Sequence, residues 1–470
     1  MRSSGFLLVA CLAVLLLVPT LAPATGLYRP GVGVRAGAMG GAFIGLADDY
    51  SAVYWNPAGI TQIKGMVLTA TGQDVVSLAS RDGFREFRGE GLEGMEEPPE
   101  DYFAWASIAA TSDARNLVAP GLFFYTDAGP LRGVVDKVGV AAYTLSEYGS
   151  LWNGEEVLGG FIGHPNNYDG IYYATDMPDY ESRLKTYVIS PIVAKEVFPG
   201  LSVGVTADIA YSHLTIKDVF IQAVAFPVDT PEEQDEWWLQ LSPIQLADDV
   251  TAWGYGATVG ALYRVNSKIS VGATARSPMT MNYEGDFTVK ATGGGETVQY
   301  KFPMDFELRY PMWAGVGMAY RDFMFDGLTM TADLQWTDWS TFERIQRNIE
   351  WTDEFEGEES SMLETTELNW DDTVSFGLGF DYRIGRTLSV NLGYRTEPTP
   401  VPKENYNFVM PQTTKNVVGV GVNYHQDFWK ASFALQYMAG ETMRLTDTYD
   451  MNGKHVEDVL IPMLSLTYAF

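Results

Sequence analysis

Long stretches in which apolar and polar side chains alternate without a break constrain this chain more than any other feature. A β-strand sends successive side chains to opposite faces. In one such stretch Leu388, Val390, Leu392 and Tyr394 share a face, while Thr387, Ser389, Asn391, Gly393 and Arg395 share the other. The same split separates Phe376, Leu378, Phe380 and Tyr382 from Ser375, Gly377, Gly379, Asp381 and Arg383. It also separates Leu328, Met330, Ala332, Leu334 and Trp336 from Thr329, Thr331, Asp333, Gln335 and Thr337. Leu201, Val203, Val205, Ala207 and Ile209 give a further apolar face. Strands of a soluble sandwich alternate too, but they average about 5 to 6 residues. These runs reach the roughly 9 to 11 residues that a tilted strand needs to cross a bilayer. An apolar exterior and a polar lumen predict an all-β fold, a transmembrane antiparallel β-barrel.

Both ends of the chain agree with an exported barrel. Arg2, the apolar run Phe6 to Val18 and the small residues Ala22-Pro23-Ala24 read as a signal peptide over residues 1–24, with Thr25 as the first mature residue. Leu8-Val9-Ala10-Cys11 has the form of a lipoprotein box, but the apolar core continues past Cys11 where lipidation requires it to stop. Cys11 is the only cysteine, so the mature chain has no disulfide, thiolate metal site or cysteine nucleophile. At the other end Leu460, Pro462, Leu464, Leu466, Tyr468 and Phe470 form an apolar face ending on an aromatic, as in strands addressed to the outer membrane. Pro462 removes a ladder donor and predicts a bulge or unpaired position.

Charge and composition narrow the function. Sixty Asp and Glu against 31 Lys and Arg leave a net charge of −29, which repels nucleic acid and anionic surfaces. Beyond the signal no segment approaches the roughly 20 apolar residues of a membrane helix. Acidic, loop-like segments fall at Glu86 to Asp101, Phe226 to Asp249 and Glu350 to Glu367. They read as solvated external loops, or, where Trp237, Trp238, Leu239 and Leu241 cluster, as an amphipathic helix collecting apolar ligands. The histidines His164, His213, His425 and His455 lie in unrelated contexts without metal-site spacing, so neither enzyme, metal nor cofactor is expected.

The segment Gly37 to Ile60, GAMGGAFIGLADDYSAVYWNPAGI, resembles the N-terminal signature of the FadL-type outer-membrane transport family. Three further blocks follow in the family's order: Ala332 to Phe342 (ADLQWTDWSTF), Asn369 to Thr373 (NWDDT) and Gly393 to Pro402 (GYRTEPTPVP), with Met410-Pro411 after them. The resemblance implies a barrel of about 14 strands over residues 65–470, plugged by an N-terminal hatch at 25–64. The hatch is too glycine-rich for a stable helix, yet Phe43, Ile44, Leu46 and Val53 need burial. Asn56, Pro57 and Ala58 read either as a tight turn or, by the resemblance, as the contact to an inward strand kink that opens a lateral gap.

The same resemblance implies passive uptake, in the outer membrane of a Gram-negative cell, of long-chain fatty acids or other hydrophobic small molecules. Exit would be sideways into the membrane lipid, and the barrel would act as a monomer. It places Leu27 and Tyr28 in the substrate pocket, Asp372 as a kink-side acid and Lys415 as its basic partner. Here the chain departs from the family, which commonly has an acidic cluster before an Arg; lysine keeps the charge but not the bidentate geometry. Arg183, Lys185, Arg276 and Arg395 are candidates for a carboxylate head-group contact, but each reads better as a structural lumen charge. Alternatives are uptake of neutral aromatic hydrocarbons and a surface adhesin. A general porin fits less well, since it would start directly with strands.

Overall fold

The computed structural model describes residues 31–88, 103–112, 116–154, 178–227, 237–293, 296–352, 359–406, 412–445 and 453–470. The expected signal peptide, Leu27, Tyr28 and Met410-Pro411 lie outside them, as does most of Glu86 to Asp101. Among the described residues 14 strands close into an antiparallel ring. They are β1 (Val67–Arg88), β2 (Asn116–Asp127), β3 (Lys137–Trp152), β4 (Tyr180–Phe198), β5 (Leu201–Pro227), β6 (Trp237–Arg264) and β7 (Ile269–Arg276). The ring continues with β8 (Trp313–Tyr320), β9 (Leu328–Thr337), β10 (Thr373–Ile384), β11 (Leu388–Glu397), β12 (Lys415–Gln426), β13 (Trp429–Gly440) and β14 (Gly453–Ala469). Each strand pairs with the next, and β14 returns to β1 with Val67 opposite Ala469. Closure gives every strand of the ring a paired neighbour on both sides, as hydrocarbon surroundings demand of a sheet.

The alternation read from the sequence sorts the faces as expected. Ser389, Asn391 and Arg395 are buried inside the ring, whereas Val390 faces out, as do Val203, Val205, Leu464 and Leu466. Tight turns, two of them at Gly200 and Gly385 with positive φ, join strands at one end of the ring. The start of β1 and the end of β14 lie at that same end. Pro462 interrupts the β14–β1 ladder, which passes from Met463↔Gln73 to Leu460↔Val76 with no register partner for Ile461 or Pro462.

At the other end the strands outgrow the membrane. β5 and β6 have 27 and 28 residues, whereas a tilted strand crosses in roughly 9 to 11. Their upper parts stay paired, and β6 adds the hairpin Met279–Gly293/Glu296–Tyr310, which in turn adds Arg344–Thr352 and Glu359–Glu367. Two expectations are thereby corrected. Where the loops expected at Phe226 to Asp249 and Glu350 to Glu367 fall on described residues, 226–227, 237–249, 350–352 and 359–367, they are strand, and Trp237, Trp238, Leu239 and Leu241 open β6 instead of forming a helix. A ladder whose register is set in the membrane extends one residue pair at a time, and each pair satisfies its own backbone groups.

Residues 31–66 lie inside the ring. Two short helices, α1 (Val34–Ala38) and α2 (Ala52–Trp55), and a 3-10 turn (Pro57–Gln62) are almost entirely buried. α1 packs on β11 to β14 and the 3-10 turn on β4 to β6, so the segment reaches across the interior from one part of the wall to another.

Candidate functional site

Lumen-facing glycines make room for the N-terminal segment. A Cβ on Gly393 of β11 would lie 2.0 Å from the carbonyl carbon of Met39, and one on Gly419 of β12 would lie 2.4 Å from the Gly37 carbonyl oxygen. Across the lumen, a Cβ on Gly272 of β7 would lie 2.2 Å from the Ile44 carbonyl oxygen. Backbone thus meets backbone directly, a contact only glycine permits.

Buried side chains of the wall then bind the segment's polar backbone. Asp333 of β9 accepts from the Ile44 amide at 2.6 Å, Ser270 donates to the Gly45 carbonyl at 2.7 Å, and Tyr125 donates to the Tyr50 carbonyl at 2.6 Å. Arg35 of α1 bridges Asp48 within the segment and Asp381 of β10. Burial alone would lower the Arg35 pKa, but the carboxylates of Asp48, Asp381 and Asp49 outweigh it and hold the guanidinium above its ordinary value.

Asn56, Pro57 and Ala58 form the most tightly fitted part of this contact. The Asn56 carboxamide donates to the Ile44 carbonyl at 3.0 Å and to the Ala261 carbonyl of β6 at 2.9 Å, and its oxygen accepts from the Ala58 amide at 3.2 Å. Pro57 begins the 3-10 turn, where its missing N–H costs nothing. The motif abuts Gly204 of β5 and Gly260 of β6, which stand opposite each other in an unbroken ladder. The strand kink implied by the resemblance is therefore not at this contact.

The wall is interrupted between β2 and β3 instead. Their ladder runs from Asp127↔Lys137 to Gly121↔Tyr143 and stops. Beyond it, a single bridge between Ser112 and Trp152 is the next pairing of the two sides among the described residues. Two sequence features end the ladder: Pro120 has no N–H to give, and β3 bulges between Thr144 and Ser146 as it pairs with β4. Side chains take over the carbonyls left at the β2 edge. Thr144 donates to the Pro120 carbonyl at 3.4 Å, and the Lys185 ammonium donates to the Val118 carbonyl at 2.9 Å.

The lumen near this opening is aromatic and apolar. Tyr50 and Phe123 have ring centroids 4.9 Å apart, Phe123 stacks on Tyr143 at 6.0 Å, and Tyr54 meets Trp313 at 6.0 Å. Met279, Met281, Phe306 and Leu308 extend the same buried cluster. Arg276 is enclosed here, over the rings of Tyr54 and Trp313, donating to Thr258 at 3.0 Å and Tyr143 at 3.2 Å with Asp208 at 3.7 Å.

The other residues singled out from the sequence have different settings. Arg395 pairs with Glu397 and donates to Gln335, Lys185 pairs with Glu147, and Arg183 is exposed. Asp372 and Lys415 do not form the pair implied by the resemblance. Lys415 is buried against Glu457 at 2.6 Å, whereas Asp372 is exposed and accepts from the Ser340 amide at 2.9 Å and the Trp336 indole at 3.2 Å. A lysine inside the ring needs a buried acid, and Glu457 of β14 supplies one.

Asp372 instead helps bring three sequence blocks together at the end opposite the tight turns. Trp339 and Phe342, from the first block, meet Trp370 of the second at 5.3 and 5.0 Å between centroids. The Asp371 amide donates to the Pro400 carbonyl of the third at 2.8 Å. The alternation assigns Asp333 and Gly393 to the lumen face but does not identify them as the seat of the N-terminal segment. The available signal was the recurrence of glycine on the lumen face of neighbouring strands.

Residues 161–470 match the family described as outer membrane protein transport protein (OMPP1/FadL/TodX). The chain is 21% identical over 187 residues to a 47 kDa outer membrane protein of Pasteurella multocida, a match covering 37% of this chain and 40% of that protein. The fold is similar to a FadL homologue of Pseudomonas aeruginosa, with a TM-score of 0.71, 14% identity, and coverage of 95% of this chain and 100% of the other. It is also similar to the toluene transporter TodX of Pseudomonas putida, with a TM-score of 0.70, 16% identity, and coverage of 94% and 99%.

Proposed function

The chain belongs to the outer membrane protein transport family (OMPP1/FadL/TodX), and from that premise we propose that it carries hydrophobic small molecules passively through the wall of its barrel. Its place is the outer membrane. In this reading residues 31–64 are the described part of a hatch, and the ligand leaves the aromatic lumen through the opening between β2 and β3 into the lipid. The observation that carries the reading is the meeting of that opening with an apolar interior. A hydrocarbon following this path stays out of water, at a gain of about 25 cal/mol for each Å² kept dry. No energy source is needed, because the ligand ends in an environment as apolar as the one it crosses.

The lumen charges favour neutral ligands over fatty acids. Arg35, Arg276, Arg395 and Lys415 each stand within ion-pair distance of an acid, so a fatty-acid carboxylate would have to displace a resident one. The toluene transport named for TodX fits this preference. Uptake of radiolabelled toluene and oleate into a transporter-deficient Gram-negative strain tests it, beside a variant lacking Asn56 to Ala58. Toluene uptake that the deletion changes supports the reading. Oleate uptake alone would move it to fatty acids, and uptake of neither by an assembled barrel would overturn it.

A further inference from the structure

The opening between β2 and β3 is not simply a missing piece of sheet, because it is fastened across its outer face. Lys185 belongs to β4, two strands away from β2, yet its ammonium reaches over β3 to the Val118 carbonyl at 2.9 Å. Had the ladder continued in register, that carbonyl would belong to the β2–β3 pairing. On the way the same ammonium lies 2.9 Å from Glu147 of β3, which stands directly opposite Lys185 in the β3–β4 ladder. The Glu147 side chain is 1% exposed and that of Lys185 17%. Between the separated edges Leu117 packs close to Gly149, where a Cβ would come within 3.2 Å of its Cδ1.

We infer that Lys185 is the latch of the wall opening and that Glu147 positions it, so that together they set the size of molecule the opening passes. The inference rests on the reading of the opening as the exit. A charged pair is costly beside hydrocarbon, and an unpartnered carbonyl there is costly as well. The lysine answers both demands only while the β2 edge stays close to β3. Moving the edge outward to admit a bulky molecule breaks the bond to Val118, whereas a small ring needs less displacement. Lys185 is thus a positioning residue, not a ligand for the substrate.

The test compares uptake of pyrene with uptake of toluene in the full-length protein, in Lys185→Arg and in the double variant Lys185→Met/Glu147→Gln, which leaves neither charge unpaired. The double variant should raise the pyrene-to-toluene ratio several-fold, and Lys185→Arg should keep the wild-type ratio. An unchanged ratio in a double variant that still runs as a heat-modifiable barrel overturns the latch. Wild-type uptake of neither compound overturns the transport reading alone, and the latch is then decided by labelling. Ala119→Cys, buried at the β2 edge, should react several-fold faster with a membrane-soluble maleimide when the latch pair is removed; an equal rate overturns it.

Discussion

Asp333 of β9 and Ile44 of the N-terminal segment are joined by a hydrogen bond of 2.6 Å from the Ile44 amide to the buried carboxylate. One side chain of the wall thereby holds a loop that has no regular structure of its own. Truncation to Asp333→Ala leaves that amide without its partner, at a cost of about 1–3 kcal/mol. The expected result is faster hydrogen exchange at residues 43–45 with the heat-modifiable barrel retained. Unchanged protection would show that the seat does not depend on this carboxylate.

Gly393→Ala tests the backbone contact on the other side of the lumen. Its Cβ would meet the Met39 backbone at 2.0 Å, and neither partner is a flexible side-chain end. Overpacking of this kind costs about 1–3 kcal/mol. Gly72→Ala is the matched control, because a Cβ there meets nothing within 4 Å. Thermal unfolding in detergent should separate the two, with only Gly393→Ala lowering the midpoint.

Asn56→Ala removes two donated hydrogen bonds and the acceptor that caps the 3-10 turn. Hydrogen bonds and caps are each worth roughly 1 kcal/mol, so about 2–3 kcal/mol is expected in total. Asn56→Asp retains the acceptor but replaces the donors with a charge facing two carbonyls, and should do at least as much harm. Limited proteolysis of the N-terminal segment in the assembled barrel ranks the variants, and a milder Asp variant would count against donation as the dominant contact.

Trp370→Ala removes the ring that stacks on Phe342 and meets Trp339. A buried tryptophan cut to alanine costs about 3–5 kcal/mol. The loss should be local, seen as protease cleavage near residues 338–343 and 398–406 while the membrane part of the ring persists. A global loss of the barrel would show that the cluster is needed for assembly itself.

Much of this architecture was legible in the residues. Leu388 to Arg395 declared their two faces by alternation alone, because a strand in the wall has lipid on one side and lumen on the other. Pro462 predicts an unpaired position, and the ladder to β1 has one there. Long-range choices were less accessible. Trp237 to Leu241 looked suited to a helix, yet they pair with residues 223–227 because the β5–β6 register propagates beyond the membrane. Lys415 was matched to Asp372 by the resemblance, but Glu457 is the acid beside it.

By itself the sequence determined the strand faces, the membrane class and the presence of a compact glycine-rich segment ahead of the barrel. These follow from local periodicity, and local periodicity is written in consecutive residues. Only the tertiary structure decided which glycines receive that segment, which acid neutralises each buried base, and where the wall opens. Each of those depends on residues far apart in the chain, such as Ile44 and Asp333 or Val118 and Lys185. Nothing in either partner's neighbourhood names the other until ring closure brings them within hydrogen-bond distance.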